Sequence, residues 1–216
     1  MDTIRVWDLP TRLFHWLLVA AIGFLWYSGG EGEALMVWHM RAGYPVLGLV
    51  ILRIIWGLWG SRHSRFAAFL AGPRRTLDYG KAFARGRAPV FAGHNPLGGW
   101  MVMLMLLSLL VQTATGLFAT DDISLEGPLS GQVGGATARA LTDVHFWNFD
   151  LLLILIAAHV AAVLLHRLLG EPLLAAMLTG RKRVPDEAGP DLAFVPWWRA
   201  LLVALPVAGA IYWLVS

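Results

Sequence analysis

His145 and His159 stand fourteen residues apart in the stretch 141–169, LTDVHFWNFDLLLILIAAHVAAVLLHRLL, which is long and apolar enough to span a bilayer. Fourteen residues of α-helix rise about 21 Å and turn through about 1400°, within roughly 40° of four whole turns. Both imidazoles therefore point to one side of the helix, one near each edge of a hydrocarbon core about 30 Å thick. Ionisable residues inside a span are costly, and a functional reading is the default there. A pair stacked at this separation suits two planar cofactors, one per leaflet, provided the rest of the chain supplies partners.

The rest of the chain has the composition of a membrane protein. Hydrophobic residues make up 57% of its 216 positions and charged ones 14%, with a mean hydropathy of +0.62. Several of the eleven Trp (Trp38, Trp56, Trp59, Trp100, Trp197, Trp198) fall near expected span ends, where aromatic belts form. There is no cysteine, which removes disulfides, thiolate zinc sites, Cys-ligated iron–sulfur clusters and covalent c-type haem attachment. A metal must be held by His, Met, carboxylates or carbonyls. The apolar run near the N-terminus is followed by SGGEGEA without a small-x-small cleavage site, so it reads as a retained helix rather than a signal peptide.

Spans are expected at about 13–27, 38–59, 96–118 and 143–169, with a last apolar run at about 198–215 interrupted by Pro206. Residues 1–12 form a short amphipathic lead in which Pro10 is placed to open a helix. In the connection 61–89, seven Arg or Lys stand against a single Asp78. Phe66, Phe69 and Leu70 recur there at helical spacing, which predicts a surface helix. The basic lead, the 61–89 connection and the segment after span four, which carries RKR at 181–183, alternate with acidic, Gly-rich connections. The positive-inside rule puts the basic side, and with it the N-terminus, in the cytoplasm of a bacterial inner membrane.

Depth then sorts the histidines. His15 starts an outward-going helix and His159 ends an inward-going one, so both lie toward the cytoplasmic side. His39 and His145 both lie toward the outer side. Two bis-histidine haems fit: His15 and His159 for an inner iron, His39 and His145 for an outer one. Neutral imidazole is a good axial ligand, and apolar burial keeps it neutral. The expected fold class is an all-α integral membrane protein. A four-helix transmembrane bundle (1–182) holds the two haems, and a linker with a fifth C-terminal transmembrane helix follows (183–216).

Other residues carry two readings each. Arg53, fourteen residues after His39, sits on the same face at the inner level. It either binds a propionate of the inner haem or snorkels to the headgroups; Arg12 and Arg41 are weaker candidates of the same kind. Ala42, Gly43, Ala157, Ala158, Ala161 and Ala162 leave room for a porphyrin or simply let helices approach. His63 reads as a solvated connection residue. His94, in AGHNPLGG, is a helix-entry residue or lines a quinone pocket or proton path. His166, two turns beyond His159, is the one rival for the inner ligand. Asp121, Asp122 and Glu126 keep an outer loop soluble or dock a partner, and Met101, Met103 and Met105 read as packing side chains.

Five segments together resemble the prokaryotic cytochrome b561 family, which includes b-type cytochrome subunits of nickel–iron hydrogenases. They are IRVWDLPTRLFHWLL at the start, WHMRAGYPVLGLVILRIIWGLWGSRHSRF in span two, GHNPLGGWMV opening span three, TGLFATDD after it, and the H-x13-H of span four. The resemblance covers about 4–182. It implies a four-helix core with two haem b groups, with His15, His39, His145 and His159 at the ligand positions. The fifth apolar run lies outside that core.

The expected function is electron transfer across the membrane, by a free-standing carrier or a subunit of an oxidoreductase complex. By the resemblance, one end exchanges electrons with quinone and the other with a cytochrome c or hydrogenase-like redox partner. Membrane lipid is the surrounding partner, a homo-oligomer is compatible with the chain, and nothing points to nucleic acid. Two other classes remain: a stand-alone quinone reductase using a small outer-side donor, and a His-lined transporter. The second is disfavoured by the lack of an inverted repeat or paired broken helices.

Overall fold

A computed structural model describes residues 2–184 and 194–216. Strand β1 (Asp2–Arg5) leads into helix α1 (Leu9–Ser28). Asp8 caps α1 by accepting from Thr11 N at 2.9 Å, and Pro10 occupies the first turn, where a missing N–H costs nothing. Helix α2 (Glu33–Trp59) follows, with Pro45 inside it. A 3₁₀ turn (Arg62–Ser64) and the single turn α3 (Phe66–Phe69) lead to α4 (Pro73–Ala84). Asn95 caps α5 (Pro96–Gly116) through Gly98 N at 2.8 Å. Helix α6 (Gly135–Leu168), short α7 (Leu173–Thr179), strand β2 (Arg181–Val184) and α8 (Trp198–Val215) complete the order.

Helices α1, α2, α5, α6 and α8 are each long and apolar enough to cross a membrane. Large apolar side chains cover their outer faces, among them Leu107, Trp147, Ile154 and Leu205, as a hydrocarbon solvent requires. Leu18 of α1, Val46 and Val50 of α2, Leu109 of α5 and Leu152 of α6 meet in one buried cluster. Those four helices therefore form the bundle. The fifth, α8, lies against α2, where Gly48 faces Val207 and Ile211.

Several boundaries differ from those expected of hydropathy. Helix α6 begins eight residues before 143, because GATARALT is polar yet rich in helix-forming Ala and continues the helix beyond the apolar span. Helices α1 and α2 start at 9 and 33 rather than 13 and 38, set by the Asp8 cap and by Glu33 in a first turn. Helix α5 stops at 116, where Leu117 and Phe118 tighten into turns on Ala114 and Thr115 carbonyls. The surface helix of the 61–89 connection is chiefly α4, not the Phe66–Leu70 region, where only one turn forms and Phe69 is buried.

The lead is a strand followed by the α1 cap. β1 pairs antiparallel with β2, Asp2 opposite Val184 and Arg5 opposite Arg181. Ile4, Val6, Trp7, Ala176 and Val184 form a small core beneath this clasp. The clasp, the 61–91 connection and the α6–α7 junction meet at one end, tied by Lys182 Nζ donating to Phe91 O at 2.7 Å and by Arg12 donating to the Met177 and Leu178 carbonyls. All three basic segments thus share one end. At the other, Ser124 of the acidic loop donates to Glu33 at 3.3 Å. Of the segment read as a linker, 185–193 lies outside the described residues.

Candidate functional site

Two facing histidine pairs are stacked through the bundle. His15 of α1 and His159 of α6 have ring centroids 6.4 Å apart, at an interplanar angle of 55°. His39 of α2 and His145 of α6 are 6.3 Å apart, at 74°. These are the same pairs that helix depth puts together. Each half of the bundle therefore contributes one helix to each pair, with α6 shared.

The separation leaves space for a metal ion to be held between the two imidazoles of each pair. A metal–nitrogen bond of about 2.0 Å, plus about 1.1 Å from nitrogen to ring centre, places the two centroids about 6.2 Å apart. Direct hydrogen bonding or stacking of two rings would bring them closer. The donor chemistry agrees. His39 Nδ1 lies 2.9 Å from Leu25 O, and His145 Nδ1 lies 2.9 Å from Gln112 O. As Nδ1–H donors to those carbonyls, both rings keep Nε2 as an unprotonated lone-pair donor, the form that ligates a metal. In the His15–His159 pair, His15 Nδ1 has no hydrogen-bond partner, so the two pairs differ in their hydrogen bonding.

Two glycines make this placement feasible. A Cβ at Gly29 would lie 3.2 Å from His39 Cε1 and Nδ1. A Cβ at Gly116 would lie 3.0 Å from His145 Cε1 and 3.3 Å from its Nδ1. Sequence reasoning passed over both, although each closes the helix that faces its histidine. It also passed over Asp8, which is almost fully buried. Besides capping α1, Asp8 accepts from Trp56 Nε1 at 2.9 Å and Ser64 Oγ at 3.4 Å, and Thr11 Oγ1 meets Ser64 Oγ at 2.7 Å. The start of α1 is thereby fastened to the end of α2, which fixes the height of His15.

Arg53 is buried rather than extended to the headgroups. It donates to Ser64 O at 3.1 Å and lies over the Phe66 ring at 5.2 Å. Arg12 holds the α7 carbonyls and Arg41 lies over Trp38, so each is already engaged. His166 is not at the inner pair. Its Nδ1 is 2.6 Å from Glu171 Oε2 and its Nε2 is 3.4 Å from Asn95 Nδ2, with Phe83 stacked on the ring. Glu171 also takes Lys182 Nζ at 2.5 Å. Burial pushes the Glu171 carboxyl up, but the Lys182 ammonium and then His166 outweigh it and hold it below the usual carboxylate range.

His94 packs between Trp7 and Phe69 with its Nδ1 unpartnered. Burial first, then the charges of Arg53, His159, Lys182 and His63, push it down to about 3. His63, read as solvated, is partly buried against Gly93 and is likewise lowered, by burial and then Arg62 and Lys182. In the acidic loop, Asp121 Oδ1 accepts from the amides of Ile123, Ser124 and Leu125, each at 2.9 Å, and Asp122 pairs with Arg139. These carboxylates build the loop.

Five helices suited to membrane spans, four of them bundled around two facing histidine pairs, define a multi-pass membrane protein of the b-type cytochrome class. The chain belongs to the prokaryotic cytochrome b561 family, whose model matches residues 6–180. A protein of Cupriavidus necator described as a probable Ni/Fe-hydrogenase B-type cytochrome subunit is 26% identical over 215 residues, covering 84% of this chain and 87% of its own. A protein of Bradyrhizobium diazoefficiens with the same description is 22% identical over 219 residues, covering 85% and 87%. No solved structure matches the chain. Haem b is the cofactor that b-type cytochromes carry, and the imidazole donors, their spacing and their glycine cradles fit it.

Proposed function

We propose that the protein holds two haem b groups, one between His15 and His159 and one between His39 and His145, and conducts electrons across the bacterial inner membrane. The observation that carries this reading is the ring spacing of 6.4 and 6.3 Å in two separate pairs. Bound there, haem b supplies reversible one-electron chemistry at iron. Two imidazoles per haem would leave iron no vacancy for oxygen, which suits electron transfer rather than oxygen activation.

The remaining tasks fall to the chain's own residues. Leu18, Val46, Val50, Leu109 and Leu152 exclude water between the two levels. The carbonyls of Leu25 and Gln112 hold the outer rings and make those imidazoles stronger donors. Arg53, with one guanidinium nitrogen on Ser64 O, retains further N–H donors for a propionate of the inner haem.

The positive-inside rule supports a cytoplasmic N-terminus, since the three basic segments share one end. A hydrogenase-type redox partner at one end is supported by the descriptions of the two relatives. We place exchange with the quinone pool at the inner end, where His94 keeps a buried, unpartnered Nδ1 between Trp7 and Phe69.

A pyridine haemochromogen assay with a redox difference spectrum on detergent-purified protein, counted per chain, tests the proposal. Two low-spin b haems are expected. One haem would mean that a histidine pair is structural, and none in folded, haem-supplied protein would refute the electron path.

A further inference from the structure

Between α5 and α6, at the depth of the apolar core, lies a polar cluster that the haem-binding reading does not use. Asn148 is buried and uses its whole amide. Its Nδ2 donates to Ser108 O at 2.9 Å and to Gln112 Oε1 at 2.7 Å, and its Oδ1 accepts from Ser108 Oγ at 3.1 Å. An amide at this depth is costly unless paired, and here α5 supplies all three partners. One turn nearer the outer side on the same face of α6 stands His145, whose Nδ1 is held by the Gln112 carbonyl.

The two contacts are successive rungs of one ladder. Asn148 bonds to α5 at Ser108 and His145 bonds to it at Gln112, four residues on, as two antiparallel helices in one register require. A slip of α5 by one residue, about 1.5 Å along its axis, would break both rungs together. Gln112 is engaged at both ends, its side chain by Asn148 and its carbonyl by His145 and by Thr115 Oγ1 at 3.2 Å. Axial slip would also move Gly116, whose lack of a side chain leaves room for the His145 ring edge.

We propose that Asn148, acting through Ser108 and Gln112, is a positioning residue that holds the Gln112 carbonyl on His145 Nδ1 and so keeps the outer haem at a lower potential than it would otherwise have. An imidazole whose N–H is firmly hydrogen-bonded is a stronger donor and stabilises the oxidised iron. Loosening that bond raises the potential of the haem it serves and leaves the inner one alone. This rests on His145 being an outer-haem ligand.

The test is a potentiometric titration of purified holoprotein with EPR of the oxidised form, comparing wild type with Asn148→Leu and Gln112→Met. His145→Ala identifies the outer haem. Both variants are expected to shift the outer midpoint upward and alter only its low-spin EPR signal. The larger effect is expected for Asn148→Leu. If that variant loses the outer haem outright, Gln112→Met, which keeps the carbonyl, decides the matter through its potential. Unchanged outer potentials, or equal shifts of both haems, would overturn the inference. Two haems in wild type with none lost in His145→Ala would instead refute the ligand reading beneath it.

Discussion

Gly116→Ala isolates the histidine cradle from the fold. The added Cβ would sit 3.0 Å from His145 Cε1, against a comfortable carbon–carbon contact of about 3.6 Å. The ring must retreat by about 0.5 Å, which stretches the 2.9 Å contact between His145 Nδ1 and Gln112 O to the outer limit of a hydrogen bond. Losing one such bond costs about 1 kcal/mol, and outer-shell bonds of this kind carry about tenfold or more in affinity. The expected result is roughly tenfold faster loss of the outer haem to excess apomyoglobin, followed in the Soret band, with the inner haem retained. Alanine is also the better helix former by up to about 1 kcal/mol, so thermal stability should not fall in parallel. Gly48→Ala, whose Cβ would only touch Val207 at 3.8 Å, serves as a control and should release haem at the wild-type rate. A Gly116→Ala protein that keeps its outer haem as wild type does, or that loses both haems alike, would refute the cradle.

Three further predictions concern the paired histidines, His166 and the clasp. His15→Ala and His159→Ala should each remove the inner haem first, and His39→Ala and His145→Ala the outer one, as counted by haem per chain and by which redox component disappears. His166→Ala should keep both, because that ring is bound to Glu171 and Asn95 rather than to the inner pair. At the clasp, Glu171 has a native pKa depressed below its ordinary 4.5. Its stabilising contribution is therefore complete above about pH 4.5 and is lost as pH falls through the lower native value. Glu171→Gln should strip the Lys182 ammonium of its partner at neutral pH, at a cost of up to about 3 kcal/mol. Hydrogen exchange at 2–5 and 181–184 would then be faster near pH 7. Exchange as slow as in wild type would show that the ion pair does not hold the strands.

The residues that could do chemistry, and the helices that carry them, were legible because a bilayer imposes rules that act locally. Hydropathy marks a span wherever about twenty apolar residues run together, helical pitch puts residues fourteen apart on one face, and basic residues mark one side. Those rules pair His15 with His159 and His39 with His145 by height without knowledge of any contact. They do not see the ends of helices: α6 starts eight residues before its apolar span, in the Ala-rich GATARALT. Nor do they see β1–β2, whose partners lie some 180 residues apart in the chain.

Tertiary structure alone decided the distances and the supporting shell. That His39 and His145 donate to helix carbonyls, that Gly29 and Gly116 leave room for their rings, and that Asp8 ties α1 to α2 all depend on which helix faces which. The same is true of Asn148, an ordinary polar residue in a span until Ser108 and Gln112 are seen across from it. Periodicity and depth fix one coordinate of a side chain along the membrane normal. The hydrogen bond that orients it needs the other two, which exist only once the helices have packed.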